Sequence, residues 1–279
     1  HESEPVPIPL RAPGEANEAL GTNVAANGDG KAQLAEIHRK GIEWTDRLST
    51  SRLKPIDRWL SLNIHLKPRI CWNIVAVCGS PADVDASLTK VFTRALPYLK
   101  VNRKIRRTWV HLSHKYQGLG VFDINIERLS QKLFWIQRYW GYSGLEGEML
   151  LHSFETFCID LGFDGNPLAC SFQRFGHLAS NSWWKDLWEL LDHFDVRLEI
   201  DESLLFKHYR DGDISLMRWF AESGQIPHDQ LASLNRVRKH KCLFFLSELC
   251  ACDGKSVIVP LLDGSAGNST HKVYPIEKP

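Results

Sequence analysis

The fold class is decided by residues 31–48, KAQLAEIHRKGIEWTDRL. Apolar or small residues recur there at intervals of three and four, at Leu34, Ile37, Gly41, Trp44 and Leu48. This spacing places them on one face of an α-helix. Because such a helix has a single apolar face to bury, it needs other helices to pack against, and the stretch predicts a helical bundle.

Two more helices are predicted before residue 100. The first begins at Pro55, since proline suits the first turn of a helix, and it ends at Pro68. We expect four of its side chains to face inward: Ile56, Trp59, Leu60 and Leu66. The other begins at Pro81 and ends at Pro97. Its apolar residues share one face: Val84, Leu88, Val91 and Ala95.

Helical spacing returns in the second half of the chain. It predicts helices near residues 126–140, 150–161, 183–194, 214–220, 229–236 and 242–249, with Gly162 as a C-cap. The first of these aligns five apolar residues: Ile126, Leu129, Leu133, Ile136 and Trp140. Short strands are expected at residues 20–24, 196–200 and 257–259. The chain is therefore predicted to be mainly α.

Composition limits the function classes. The chain has 279 residues, 43% of them apolar, and a net charge of +1, so affinity for nucleic acid must come from local patches. It contains no apolar run of the roughly 18 residues that cross a membrane and no visible signal peptide. The first residue is not Met, which suggests a longer reading frame. Seven scattered Cys residues are typical of a reducing, intracellular compartment.

A basic segment, defined as residues 100–116, is the most functional-looking feature. No acidic residue lies between Ala86 and Phe122, whereas eight Lys or Arg residues do. These cations can neutralise phosphates, and interleaved aromatic residues such as Trp109 can stack on bases or sugars. The alternative is a solvated helix face with its aromatic residues in the core. The candidate contacts here are Lys100, Asn102, Arg103, Lys104, Arg106, Arg107, His111, Lys115 and Tyr116, with Gly118 and Gly120 in the turn that follows.

A second basic block at residues 235–241 adds three candidates: Arg236, Arg238 and Lys239. Such runs commonly just face water. The nearby His240, Cys242, Cys250 and Cys252 form a possible zinc set, but an apolar helix in which Cys acts as a small hydrophobe explains them better, so no metal is expected.

Two other patterns have simpler explanations. Asp213, in the run Asp211-Gly212-Asp213, is expected to cap a helix that begins at Ile214. The tryptophans at 183, 184 and 188 are expected in the core. There is no phosphate-binding P-loop.

Four stretches, in order, resemble the region after the palm in non-LTR (LINE-like) reverse transcriptases, above all their divergent forms in algae and other unicellular eukaryotes. The first pairs Ala19-Leu20-Gly21-Thr22 with Asn27-Gly28-Asp29-Gly30, and the second joins Trp44 and Leu48 to Leu53-Lys54-Pro55. The third runs from Leu96-Pro97 through the basic segment to Tyr116-Gln117-Gly118-Leu119-Gly120-Val121. The fourth combines 210–213, 231–238, 246–248 and 253–255.

The chain departs from the family in two ways. Ser113-His114 stands where the family has Gly-Pro, and Gln117 replaces the first Gly of a pair, which puts a tight turn in doubt. The family's palm carries adjacent Asp residues that hold Mg²⁺, and no adjacent Asp pair occurs in this chain. The parent protein would be an RNA-directed DNA polymerase, whereas this chain alone is expected to be inactive, with no cofactor of its own.

The resemblance implies a thumb-like bundle and a helical extension that bind an RNA–DNA hybrid or structured RNA beside upstream palm and fingers domains, in the nucleus. The implied divisions are a linker and end-of-palm hairpin (1–30), a thumb-like bundle (31–100), a basic connector (101–145), a C-terminal helical domain (146–264) and a tail (265–279). The alternative reading is a helical protein–protein adaptor or a decayed copy without function.

Overall fold

Helix α1, Lys31–Thr50, confirms the first predicted helix: Ile37, Gly41, Trp44 and Leu48 are buried along one face. It packs against α4, Pro81–Ala95. Ser80 begins α4 as an N-cap, because its hydroxyl accepts the backbone N–H of Asp83 at 3.2 Å. All four residues predicted for the inner face of α4 are buried.

The computed structural model describes residues 12–19, 21–201, 205, 212–222 and 226–250. Within these ranges the chain is mainly helical, as predicted, with one sheet of two short strands. Strands β1, Asn17–Ala19, and β2, Thr22–Val24, pair antiparallel with Ala19 opposite Thr22. The strand predicted at residues 257–259 lies outside the described residues, and so do Cys252 and Asp211.

The chain divides into two compact units. Unit 1 comprises residues 1–134 and 181–190, and unit 2 comprises residues 135–180 and 191–279. Besides β1, β2, α1 and α4, unit 1 holds α2 (Pro55–Ser61), a π-helical turn (Leu62–Leu66), α3 (Lys67–Cys71), α5 (Arg107–His111) and short 3₁₀ turns at Ile74–Ala76 and His114–Tyr116. The boundary falls within α6 (Ile124–Tyr139), and the returning segment 181–190 holds most of α9 (Trp183–His193).

Unit 2 consists of helices and turns in the described residues. It contains α7 (Leu145–Leu161), α8 (Phe172–Phe175), α10 (Leu216–Glu222) and α11 (His228–His240), with 3₁₀ turns at Pro167–Ala169, Gly176–Leu178 and Leu246–Glu248. Gly162 ends α7 with φ of 80°, so the predicted C-cap is confirmed. In the part of α9 that belongs to unit 1, Trp184 and Trp188 are buried, as expected of core residues, and Trp183 is half-buried.

The prediction for the second helix is wrong in two respects. Ile56 and Leu60 were expected in the core, but they are 72% and 55% exposed. Pro68 does not end the helix either, because a π-helical turn precedes α3 and the N–H of Lys67 reaches back to the carbonyl of Leu62. The wider turn lets the chain stay helical up to the proline, which then lies in the first turn of α3, where it needs no N–H partner.

Three later predictions also fail. Residues 196–200 form no strand, since within the described chain they have no neighbouring strand to pair with. Residues 242–249 form a 3₁₀ turn and an isolated β-bridge from Phe245 to Ser215 in place of the predicted helix. Cys242 is exposed with φ of 54°, so it is not a small hydrophobe in a helix. Asp213 does not cap a helix at Ile214: its carboxylate accepts the backbone N–H of Ser247 at 3.2 Å and that residue's hydroxyl at 2.5 Å.

Helix α6 buries Leu129 and Ile136 of its predicted apolar face and leaves Leu133 and Trp140 half-buried, so most of that face is confirmed. Ile126 is exposed, whereas Asn125, Arg128 and Lys132 are buried. The inner face is therefore partly polar, and the spacing of apolar residues does not predict which polar residues are buried.

Candidate nucleic-acid interface

The basic segment lies on unit 1 directly after α4, and its apolar residues anchor it to the core. Val110 is buried in the core, and Val101 and Ile105 pack against it. Two turns shape the stretch before α5: Lys100 adopts φ of 63°, and the side-chain oxygen of Asn102 accepts the N–H of Lys104 at 2.9 Å. Since apolar residues alternate with cations in this irregular stretch, the core holds the backbone and the charged side chains point outward.

Every predicted cation of the segment is exposed: Lys100, Arg103, Lys104, Arg106, Arg107 and Lys115. In the described part of the chain none of them forms an ion pair, in contrast to Arg39 and Arg47 of α1, which lie against Glu36 and Glu43. Unpaired cations attract phosphate more strongly than paired ones, because no carboxylate offsets their field.

The two aromatic residues of the segment are also accessible. Trp109 is 46% exposed and Tyr116 is 60% exposed, which excludes the alternative that both point into the core. The ammonium of Lys115 lies 5.6 Å from the centre of the Tyr116 ring. Flat rings beside cations are suited to stacking on bases while the charges meet the backbone.

The glycines after the segment serve packing. Gly118 is buried, and a Cβ there would lie 2.0 Å from the carbonyl oxygen of Leu112. Gly120 has φ of 62°, and its N–H donates to the same carbonyl at 2.9 Å. We therefore assign both predicted glycines to the return of the chain along residues 109–112. Gln117, where the sequence analysis put a tight turn in doubt, adopts φ of 62°, a backbone conformation that glycine prefers.

A recess of about 210 Å³ opens beside the segment, against α4. Arg103, Arg107 and His111 line it together with Thr89, above an apolar floor that includes Phe92. Arg107 donates to the hydroxyl of Thr89, and Nδ1 of half-buried His111 lies 3.2 Å from the carbonyl oxygen of Val121. Two guanidinium groups at one recess form a suitable contact for a phosphate.

The second basic block, in unit 2, splits into two kinds of residue. Arg236 and Lys239 are exposed, and Lys239 is paired with Asp160. Arg238 is buried, which corrects its prediction as a surface contact. Its guanidinium donates to the backbone carbonyls of Ile159 at 2.6 Å and Asp160 at 3.1 Å, and to the side-chain oxygen of Asn235. Burial lowers the pKa of Arg238 to about 10, so it remains protonated at neutral pH.

Sequence reasoning missed a buried charge cluster in unit 1. Asp186 of α9 accepts hydrogen bonds from Arg128 at 2.7 Å and from the backbone N–H of Gly79 at 2.8 Å. Its other oxygen lies 3.2 Å from Nζ of Lys132, an ion-pair contact, and accepts no hydrogen bond from the described residues. The usable signal is the spacing of Arg128 and Lys132, four residues apart on α6 and therefore on one face.

The cluster is electrostatically unbalanced, with two cations to one carboxylate. Burial lowers the pKa of Lys132, and the neighbouring charge of Asp186 only partly opposes this. The ring of Trp183 lies 4.3 Å from the Lys132 ammonium and offers a further favourable contact. The cluster connects α6, the loop at Gly79 and α9. We therefore assign it a structural role.

No family model, curated protein or solved structure matches this chain. Among the described residues no cluster of His, Cys, Asp and Glu has the arrangement of a metal site, and no helix is long and apolar enough to span a bilayer. The basic segment and the sequence resemblance are therefore the features that indicate a function.

Proposed function

We propose that this chain is the part of a non-LTR reverse transcriptase that follows the palm, and that it binds nucleic acid through its basic segment. The observation that carries the proposal is the set of six exposed cations at residues 100–115, which form no ion pair with the residues that the structure describes. A net charge of +1 leaves local patches of this kind as the source of affinity.

The proposed ligand is an RNA–DNA hybrid or structured RNA, held beside a palm domain that lies upstream in the parent polymerase. The contacts go to phosphates, so they position the duplex and carry no base information. Catalytic Mg²⁺ belongs to that palm, because this chain has no adjacent Asp pair. A nuclear location follows from the same resemblance, since the family's genomic target lies there.

The test neutralises Arg103, Lys104, Arg106 and Arg107 together by substitution with Gln. If each of the four contacts a phosphate, the slope of log affinity against log salt loses about 3 to 4 units, at about 0.9 per contact. Fluorescence anisotropy with a labelled hybrid duplex across a salt series measures this slope. Melting temperature is expected to stay nearly constant, because all four side chains are exposed.

The matched control neutralises four exposed cations outside the segment: Arg52, Lys54, Arg138 and Arg197. It removes the same net charge, so a specific interface predicts a much smaller change in slope. An equal change in both variants would show that binding is general electrostatic attraction and not a specific interface. An unchanged slope in the first variant would show that the basic segment is not an interface.

A second function, contact with a partner protein, is favoured by a separate observation on unit 1. Apolar side chains of α2 are exposed there, which supports the alternative of a helical adaptor.

A further inference from the structure

An apolar groove lies on unit 1 between α2 and the residues that follow α4. We define it by its lining residues Ile56, Trp59, Leu60, Leu99, Val101 and Leu119. Its volume is about 610 Å³. Trp59, Val101 and Leu119 are half-buried and form the wall, while Ile56 and Leu60 stand exposed at the edge.

Two more apolar side chains of the same helical stretch are exposed. Ile64 in the π-helical turn and Trp72 after α3 are 55% and 79% exposed. Single exposed apolar residues are ordinary, but several along one helical segment that borders a recess are typical of a binding surface.

The charge around the groove is mainly positive. Residues 52–72 contain five Lys or Arg and a single carboxylate, Asp57, although Lys67 and Arg69 are paired with Glu127 and Glu43. Residues 98–121 contain six Lys or Arg and no carboxylate. At the groove itself, Lys100 and His114 are part of the lining. A partner therefore needs apolar side chains for the groove and negative charge for its rim.

We propose that the groove binds an acidic amphipathic helix of a partner protein. Ile56 and Leu60 are one helical turn apart on α2, which matches the separation of apolar residues at i and i+4 on a partner helix. The recess is concave and receives a protruding side chain, whereas a lipid surface is flat and would contact only the exposed edge residues. Carboxylates beside the apolar face of the partner would meet the basic rim and speed association.

The probe is a synthetic, fluorescein-labelled peptide of about 18 residues, or five helical turns, with Leu on one face and Glu elsewhere. We expect saturable binding to the full chain by fluorescence anisotropy. A scrambled peptide of the same composition, which presents no continuous apolar face, is expected to bind much more weakly. A peptide with Lys in place of Glu keeps the apolar face and is expected not to bind, a result that depends on no protein variant.

The protein variant is Ile56→Gln with Leu60→Gln, both at exposed positions, so folding is expected to be preserved and is checked by circular dichroism. The affinity for the acidic peptide is expected to fall about tenfold or more, because two apolar contacts are lost. The matched control is Ile126→Gln, another exposed isoleucine of unit 1, with affinity unchanged within about twofold.

Four outcomes would overturn the proposal. The first is absence of saturable binding, and the second is equal binding of the scrambled or Lys-containing peptide. The third is an unchanged affinity in the folded double variant. The fourth is binding of the chain to phosphatidylserine vesicles, lost in the double variant, without binding of the acidic peptide; that result would assign the surface to an anionic membrane. None of these measurements uses nucleic acid, so they stand apart from the proposed function.

Discussion

Two basic stretches look alike in the sequence and differ in the structure. The first, residues 100–107, presents each of its Lys and Arg side chains to solvent. The second, residues 235–241, exposes Arg236 and Lys239 and buries Arg238 between them. A run of positive charge therefore does not by itself indicate a surface, since the packing around each side chain decides its exposure.

The physical reason lies in the partners that Arg238 meets. The carbonyls of Ile159 and Asp160 belong to the last turn of α7, which ends at Leu161 and leaves its final carbonyls without intrahelical donors. A buried guanidinium supplies these donors, and its charge suits the negative end of the helix dipole. Lys239, the next residue on α11, pairs with the side-chain carboxylate of Asp160, and Arg236, two positions before Arg238, is exposed.

The largest expected effect is the loss of this arrangement. Arg238→Gln should lower the free energy of unfolding of unit 2 by about 3–5 kcal/mol, since it leaves buried carbonyls unsatisfied. Urea unfolding followed by circular dichroism measures the change. The matched control, Arg236→Gln, replaces an exposed neighbour and is expected to change stability by less than about 0.5 kcal/mol. Similar losses of stability in both variants would show that the buried Arg238 and the exposed Arg236 do not differ in their contribution.

A second prediction tests a cation that is buried against a partner in unit 1. The pKa of Lys132 is lowered by burial, so the unfolded chain holds its proton to higher pH than the folded chain. Stability should therefore rise with pH between the lowered folded pKa and the ordinary value of 10.5, by at most about 1.4 kcal/mol per pH unit.

Lys132→Met should remove this rise, and urea unfolding at several pH values measures it. Lys54→Met, a replacement at an exposed position, is the control, and the difference between the two slopes isolates Lys132. A slope that survives in Lys132→Met would assign the pH dependence to another group.

A smaller effect is expected at Lys239, which is paired with Asp160 at the edge of the same site as Arg238. Burial raises the pKa of Asp160, but hydrogen bonds from Lys239 and from the Ser180 N–H outweigh this and lower the pKa overall. The resulting stability is present above the ordinary pKa of 3.8 and is lost as pH falls through the lowered value.

Because Lys239 is partly exposed, Lys239→Gln should cost only about 0–1 kcal/mol at neutral pH. Chemical unfolding at pH 7 and near pH 3 measures the cost, which should shrink at the lower pH as Asp160 becomes protonated. A cost as large as that of Arg238→Gln would show that the exposed pair shares the buried role.

Prediction from sequence succeeded where apolar spacing and local signals agreed. In α4 a first-turn proline and four apolar residues on one face point to the same helix, and the structure has it, with Ser80 as its N-cap. In α2 the same kind of spacing predicted an inner face for Ile56 and Leu60, and both are exposed. An amphipathic pattern identifies a helix and its apolar face, but it does not say whether another element covers that face.

The candidate site shows the same division. The acid-free run that defines the basic segment is visible in the sequence, and so are its aromatic residues. The need for glycine at position 118 is not visible in the sequence. A Cβ there would lie 2.0 Å from the carbonyl oxygen of Leu112, and only the fold brings these two atoms together. The spacing of Arg128 and Lys132 on α6 is visible in the sequence, but their contact with Asp186 is not, since Asp186 lies 58 residues from Arg128.

The amino-acid sequence by itself determined the helical class, the main helix of the bundle and the absence of an adjacent Asp pair, because these depend on local periodicity and on composition. Only the tertiary structure decided which charges are inside and which apolar residues remain outside. A guanidinium is stable in the interior where unsatisfied carbonyls or a carboxylate meet it, as for Arg238 and Arg128. Those partners come from distant parts of the chain, so their meeting is a property of the fold and not of any local stretch.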